Sequence, residues 1–222
     1  MGTLADDVED QLREHIVTGQ LAPASRLQME DLRVRYSTGG SPIREALSRL
    51  SAEGLVVFES NKGFRVPELS REDLADIAET RAVIESSAIR LAIAKGDEAW
   101  EARVVGALHR YKRAAEHQMT DPAALRTWET AHDDLHAALI EACGSPRLLN
   151  LQKRFQQQHV RYRRLITDEH LDVTIHVKEH ADLAEAVLRR DAELAASMIH
   201  KHMMLTVDVL DARHYWDQPT IC

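Results

Sequence analysis

The sequence has few of the residues on which whole classes of protein depend. Only 5% of its 222 residues are aromatic, and glycine and proline together number 15, which argues against a β-sandwich or a loop-rich fold. Two cysteines, Cys143 and Cys222, are too few for a disulfide framework. No apolar run reaches the roughly 18 residues of a transmembrane helix, and the acidic N-terminus does not resemble a secretion signal. These absences predict a cytoplasmic, mainly helical protein with no membrane partner.

Charge and histidine are unevenly spread along the chain. The net charge is −8, yet residues 26–66 hold seven Lys and Arg against five acidic residues. That segment is therefore +2 and the remainder −10, so the acidic total does not exclude a local nucleic-acid-binding surface. Ten of the twelve histidines follow residue 110, which makes the second half the place to look for a metal site.

The first part of the chain predicts a winged helix-turn-helix. Apolar residues recur every four positions over 3–18, and a second short helix follows over 29–36. After a glycine turn, Ser41 is expected to cap a third helix. Two β-rich runs around Asn61 and Lys62 predict a hairpin. In this fold the third helix lies in the major groove of DNA, and the hairpin is the wing.

This domain offers candidates for contacts to bases and phosphates. The candidate DNA-binding residues are Arg33, Arg35, Gly40, Ser41, Arg44, Arg49, Lys62 and Gly63. Gly40, Ser41 and Arg44 lie near the start of the third helix, the recognition helix, and would face bases. Arg33, Arg35 and Arg49 would bind phosphates, and the wing tip with Lys62 and Gly63 would reach the adjacent minor groove. A salt bridge within the helix is the alternative role for Arg44, and a merely solvated side chain is the alternative for Lys62.

After Pro67 the sequence predicts only helices, and six of them in about 140 residues form an antiparallel bundle. The predicted helix ranges are 71–94, 98–118, 122–142, 146–167, 170–189 and 192–212. We therefore expect a winged DNA-binding domain over 1–67, a linker over 68–71, and a helical effector-binding and dimerisation domain over 72–215.

The N-terminal residues resemble the GntR-type regulators. The resemblance is carried by GQLAPASRLQMEDLRVRY and SPIREALSRLSAEGLVVFESNKGFRV, with P-x-R-E-A-L and a downstream E-G-L as the specific signal. It implies a transcriptional regulator that binds a double-stranded operator. Gly39, Gly40 and Ser41 stand where the family usually has Ser-Arg-Thr. Since that arginine reads a base in relatives, the usual family operator is not expected here.

Histidine spacing predicts a metal site in the helical part. His132 and His136 are four residues apart and share a helix face. His180 and His202 lie on two later predicted helices, which a bundle can bring to the same interior point. Imidazole ligands suit zinc, nickel, copper or iron, and we expect zinc first and nickel second. With twelve histidines such spacings also arise by chance, as at His176 and His180, so packing is the alternative role.

The helical part resembles the FCD effector domain of the FadR subfamily. The matching residues are Arg81 to Glu85 (R-x-x-I/L-E), WETAHDDLH, Glu179-His180 and His202. The resemblance implies that His132, His136, His180 and His202 bind the metal, although His132 stands where Asp is usual. That replacement removes a negative charge from the site and favours an anionic effector.

Arginines in the helical part are candidates for binding a carboxylate effector. Arg81 could clamp a carboxylate, with a buried pair to Glu85 as its alternative role. Within the run 161–164, Arg161 and Arg163 are further candidates, with a solvated helix face as the alternative. The run from Trp128 to Arg163 resembles the carbon-starvation-induced branch of the family. That resemblance implies repression of genes for C4–C5 acid use, with a dicarboxylate such as glutarate as effector.

These features predict a homodimeric repressor that a small carboxylate, bound at a metal in the helical domain, releases from its operator. Two alternatives remain open at this point. In a metal sensor the ion itself is the signal, and in a metalloenzyme the histidine site activates water.

Overall fold

The computed structural model describes residues 3–116, 121–167 and 173–217, which form two compact units. The first unit comprises the described chain up to Leu74 together with Arg154–Leu165. The second comprises Ala75–Lys153 and the described chain from Ile166 onward. Within these ranges, no helix combines the length and the apolarity needed to cross a bilayer.

Helices dominate the described residues. The helices are α1 (Leu4–Val17), α2 (Met29–Arg35), α3 (Gly40–Ala52), α4 (Arg71–Lys95), α5 (Glu98–Ala114), α6 (Pro122–Ile140), α7 (Pro146–Thr167), α8 (Val173–Leu188) and α9 (Ala192–Ala212). The strands are β1 (Arg26–Leu27), β2 (Val57–Glu59) and β3 (Gly63–Arg65). The prediction of a mainly helical chain with a small N-terminal hairpin is therefore confirmed.

The N-terminal helices pack because each has one apolar face. Leu12 of α1 and Ile43 and Leu47 of α3 have no exposed surface. Burying a side chain of this size contributes about 2 kcal/mol relative to leaving it in water. The strands form an antiparallel sheet in the order β1-β3-β2, so the β2–β3 hairpin is anchored at the central strand. This order of helices and strands is the predicted winged helix-turn-helix.

One local prediction in this unit is wrong, and one strand was not predicted. Helix α3 begins at Gly40 with Gly39 as its N-cap and no side-chain capping bond, so Ser41 lies inside the first turn. Strand β1 lies outside the predicted hairpin, and its Leu27 pairs with Phe64 of β3. A two-residue strand is too short to show alternation, and only its partner strand reveals it.

The second unit is a helical bundle with aromatic side chains in its core. Trp100 and Tyr111 of α5 and Trp128 of α6 are at most 1% exposed. The Trp100 indole donates a hydrogen bond to the Ala138 carbonyl at 2.8 Å, which ties α5 to α6. Gly96 makes room for this arrangement, since a Cβ there would lie 2.0 Å from the Trp100 ring.

The ranges predicted for α7 and α9 are confirmed, whereas other helix ends in the bundle differ from the predicted ones by a few residues. Helix α5 ends at Ala114 instead of at residue 118. Residues 117–120 and 168–172, which include the predicted start of α8 at residue 170, lie outside the described ranges. Helix α6 ends at Ile140 and continues as a 3-10 turn to Cys143, which is buried and not disulfide-bonded. Cys222 also lies outside the described residues.

Helix α7 contributes to both units. Its residues 154–165 pack with the first unit, where the Tyr162 hydroxyl donates to Asp73 Oδ2 at 2.5 Å. Arg161 Nη2 donates to the Pro67 carbonyl at 2.6 Å. The predicted domain ranges, 1–67 and 72–215, stay a prediction, because contacts assign one segment of α7 to the unit that precedes it in sequence.

Candidate metal centre and DNA-binding surface

Four histidines from three helices converge in the second unit. His132 and His136 lie one turn apart on α6, His180 lies on α8 and His202 on α9. One ring nitrogen from each lies within 4.8 Å of the others. His132, His136 and His180 are buried, and His202 is half-buried. The structure thus brings together all four histidines that the sequence proposed as ligands.

Hydrogen bonds at Nδ1 leave Nε2 available as a ligand atom. His180 Nδ1 lies 2.7 Å from the His176 carbonyl, which can only accept, so Nδ1 carries the proton and Nε2 keeps its lone pair. His132 Nδ1 lies 3.0 Å from the Asp133 carboxylate and is fixed in the same way. The Nε2 atoms of His136 and His180 are 3.2 Å apart. Two nitrogens on one tetrahedral zinc are roughly 3.3 Å apart, so this pair fits a shared ion.

A buried carboxylate outside the cluster orients the imidazole of His136. Glu85 Oε2 lies 3.3 Å from His136 Nδ1, and its Oε1 accepts hydrogen bonds from Arg81 at 2.7 and 3.0 Å. All three side chains are at most 2% exposed. Burial raises the pKa of Glu85, but the Arg81 charge and the His136 bond outweigh it and bring that pKa below its usual value. Glu85 therefore stays ionised beside His136.

The surroundings of His202 disfavour its protonated form. Removal from water, and then the nearby His180, His136, His176 and Arg81, lower the pKa of His202 well below its usual value. The ring of Tyr111 packs against His180 with centroids 4.9 Å apart. A neutral imidazole can bind a metal ion through its free ring nitrogen, and imidazole is a ligand that suits zinc and nickel.

Sequence reasoning missed two neighbours of this cluster. Tyr111 lies on α5, where no periodicity separates it from an ordinary core residue. The Glu85 bond to His136 joins residues 51 positions apart, and the only available signal was the R-x-x-I/L-E motif. Arg81 makes the i,i+4 pair with Glu85 that the sequence offered as its alternative role.

Helix α7 carries an unusual buried polar face. Gln152, Gln156, His159 and Arg163 recur at spacings of four, three and four residues, and all are at most 9% exposed. Arg161 is also buried, and burial lowers its pKa. The sequence left a solvated helix face as the alternative for this arginine run. That alternative is wrong for Arg161 and Arg163, because both side chains are withdrawn from solvent.

The candidate base-reading residues share one surface of the first unit. Gly40, Ser41 and Arg44 of α3 line a groove of about 610 Å³ together with Met29 of α2. The Arg44 side chain is exposed and has no ion pair or side-chain hydrogen bond with any described residue. The salt bridge considered as its alternative role is therefore not formed among those residues.

The other DNA-binding candidates differ in how much of their charge is already paired. The ion pairs are Arg49 with Asp6, Glu9 and Glu45, Arg33 with Glu30, and Lys62 with Glu59. Arg35 is exposed at the end of α2, and Gly63 begins β3 with a φ of 83°. A phosphate contact by Arg49 would have to displace three carboxylates, whereas Lys62 has one weak surface pair to exchange.

A winged helix-turn-helix and a helical domain with clustered histidines define a DNA-binding regulator that carries a separate helical domain. Residues 4–66 match the gntR family of bacterial regulatory proteins, and residues 76–204 match the FCD domain. The chain belongs to the GntR family of transcriptional regulators, in the branch with an FCD domain. It is a transcriptional regulator, and the metalloenzyme alternative is set aside.

Individual relatives agree with this assignment. The HTH-type transcriptional regulator BphR of Paraburkholderia xenovorans (strain LB400) is 38% identical over 209 residues, covering 94% of this chain and 85% of that protein. The HTH-type transcriptional repressor GlaR of Escherichia coli (strain K12) is 32% identical over 210 residues, covering 90% and 92%. The solved structure of E. coli McbR/YncC superposes with a TM-score of 0.78 at 20% identity, covering 96% of this chain and all of that one, which shows a shared fold.

Proposed function

We propose that this regulator binds a divalent metal ion, zinc first and nickel second, at the four clustered histidines. The observation that supports the proposal is the convergence of ring nitrogens from α6, α8 and α9 within 4.8 Å. An all-nitrogen donor set suits zinc and nickel better than magnesium or calcium, which prefer oxygen. Neutral imidazoles leave the full positive charge of the ion available to a further ligand.

The proposed effector is a small carboxylate, such as a dicarboxylate. A cation held by neutral ligands attracts an anionic oxygen, and this is the chemistry that the metal supplies when bound. Arg81 adds positive charge close to the cluster, although Glu85 already occupies its Nε and Nη2. The predicted effector contacts of Arg161 and Arg163 stay predictions, because both residues belong to the other compact unit.

The proposed regulator is a cytoplasmic homodimer that uses the helical domain for dimerisation. Each winged domain would bind one half of a pseudo-palindromic operator. GlaR is by name a repressor, and we infer the same sign here. The effector then lowers operator affinity only if it binds the DNA-free state more tightly than the DNA-bound state.

Metal content tests the first part of the proposal. We expect the purified chain to carry about one equivalent of zinc or nickel, and the chelator-treated chain to take up either ion. His136→Ala should lose this uptake, because a buried ligand is removed. His200→Ala is the matched control, since His200 is exposed on α9 two residues before His202. Equal uptake by both variants would contradict the proposed ligand set.

A thermal-shift panel tests the effector. Mono-, di- and hydroxy-carboxylates are added to the full chain with and without metal, and a ligand at 100 times its Kd should stabilise the chain by about 2.7 kcal/mol. A shift produced by one acid only in the presence of metal supports the proposal. Operator release caused by metal alone, with no response to any acid, would favour the metal-sensor alternative instead.

A further inference from the structure

The wing carries an exposed aromatic pair next to the recognition helix. Phe58 of β2 and Phe64 of β3 are cross-strand partners, and their ring centroids are 5.1 Å apart. Phe64 is partly buried against the core of the first unit, whereas Phe58 is 59% exposed. The pair is therefore a supported apolar surface and not a loosely held side chain.

This pair and the recognition helix line the same groove. The groove has a volume of about 580 Å³, and its lining includes Met29 of α2, Arg44 and Ser48 of α3, and Phe58 and Phe64 of the wing. Arg44 also lines the neighbouring groove with Gly40 and Ser41. The exposed face of Phe58 thus borders the surface that carries the candidate base-reading residues.

The cations of the hairpin share a single carboxylate. Glu59 contacts both Lys62, at 3.3 Å, and Arg65. The hairpin consequently offers DNA a partly neutralised pair of cations together with an exposed aromatic ring. Its apolar part stands beside Arg44, whose guanidinium has no ion-pair partner among the described residues.

The first residue of the recognition helix α3 is Gly40, which has no side chain to contact a base. A Cβ added to Gly40 would meet only the terminal methyl of Met29, at 3.8 Å. The described recognition surface therefore combines one unpaired guanidinium with apolar groups from Met29 and Phe58. Apolar side chains recognise the C5 methyl group of thymine, just as an arginine recognises guanine.

We propose that Phe58, supported by Phe64, contacts DNA and reads a thymine methyl group close to the base read by Arg44. The contact is apolar, so it adds sequence preference without neutralising a phosphate. It concerns DNA binding alone and does not depend on the proposed metal or effector.

The test uses the full chain and a duplex that wild-type protein selects from a random double-stranded library. Each thymine of the selected site is replaced in turn by uracil, which removes only the methyl group. For wild type, one replacement per half-site should weaken binding about fourfold, the effect of losing one buried methyl-sized group. For Phe58→Ala, the parent duplex should bind about tenfold more weakly, and the same uracil should have no further effect.

Two control variants distinguish this contact from a general loss of apolar surface and from phosphate binding. Val34→Ala removes another exposed apolar side chain, 75% exposed on α2 and outside the groove, and should bind like wild type. Lys62→Ala should reduce the dependence of binding on salt, whereas Phe58→Ala should leave that dependence unchanged.

The outcomes are decisive in either direction. A folded Phe58→Ala variant that binds like wild type, or that keeps its sensitivity to every uracil, overturns the proposal. If Phe58→Ala changes the oligomeric state in gel filtration and leaves operator affinity unchanged, the ring is covered by a second copy of the chain, and the proposal is likewise wrong.

Discussion

Replacing Glu85 by Gln should weaken zinc binding without removing any proposed ligand. The carboxylate accepts from His136 Nδ1 at 3.3 Å and so fixes the proton on the nitrogen that faces away from the shared ligand atoms. Glutamine keeps the size of the side chain but loses its charge. Such outer partners of metal-bound histidines typically contribute about 10- to 100-fold to metal affinity, or about 1.4 to 2.7 kcal/mol.

The same substitution also affects folding, because Arg81 is only 2% exposed and would lose its counter-charge. Breaking a buried ion pair by removing one partner costs about 3 to 5 kcal/mol. The double variant Arg81→Met with Glu85→Gln avoids this cost, since no uncompensated charge stays buried. It should fold better than the single variant and show the same loss of zinc affinity.

The assay is a competition between the protein and a chromogenic chelator of known zinc affinity, with the folded fraction measured by circular dichroism. Glu79→Gln is the matched control because Glu79 is exposed on the same helix. A folded double variant with wild-type zinc affinity would refute the reasoning that Glu85 orients His136.

Three further predictions concern DNA binding, packing and pH. Arg44→Ala should reduce discrimination between bases at one operator position by about 1 to 3 kcal/mol. Arg49→Ala should mainly lower Tm, because the ion pairs of Arg49 lie within the first unit. Measurements of operator binding and of thermal denaturation distinguish these two effects. Gly96→Ala should lower the free energy of unfolding in urea by about 1 to 3 kcal/mol, because its Cβ would overlap the Trp100 ring. Burial, and then the charge of Arg35, lower the pKa of His15 below its usual value of 6.5. As the pH falls below 6.5, the unfolded chain binds a proton at His15 more readily than the folded chain does, so the free energy of unfolding should decrease. Wild type should therefore lose more Tm than His15→Gln between about pH 7 and 5, and an equal loss would contradict this assignment.

Local patterns explain why much of the fold was readable from the sequence. Apolar spacing in α1 and α3 reports directly which face each helix buries, since the helical period is a property of the backbone. The four histidines were readable for a related reason. The four-residue spacing of His132 and His136 places both on one face of a helix, and family motifs pointed to His180 and His202.

Features with no local pattern were not readable. Strand β1 is two residues long and exists only because β3 lies beside it. The Ser41 prediction failed because serine is a good N-cap wherever the backbone allows one, yet the helix started one residue before it. Capping depends on where the preceding turn places the chain, which residue type alone does not determine.

By itself the sequence determined the helical periods and the winged N-terminal motif, because these follow from spacing along one chain. The metal-ligand candidates came from the spacing of His132 and His136 together with the resemblance to the FCD domain. Only the tertiary structure decided which charges are paired and which are available. It gave Arg49 three carboxylates and gave Arg44 no ion-pair partner within the part of the chain that the structure describes. It also placed Glu85 next to His136, 51 positions away in the sequence. It also set the exposed ring of Phe58 beside the recognition helix. Such pairings depend on distances between separate elements, and those distances exist only once the chain has packed.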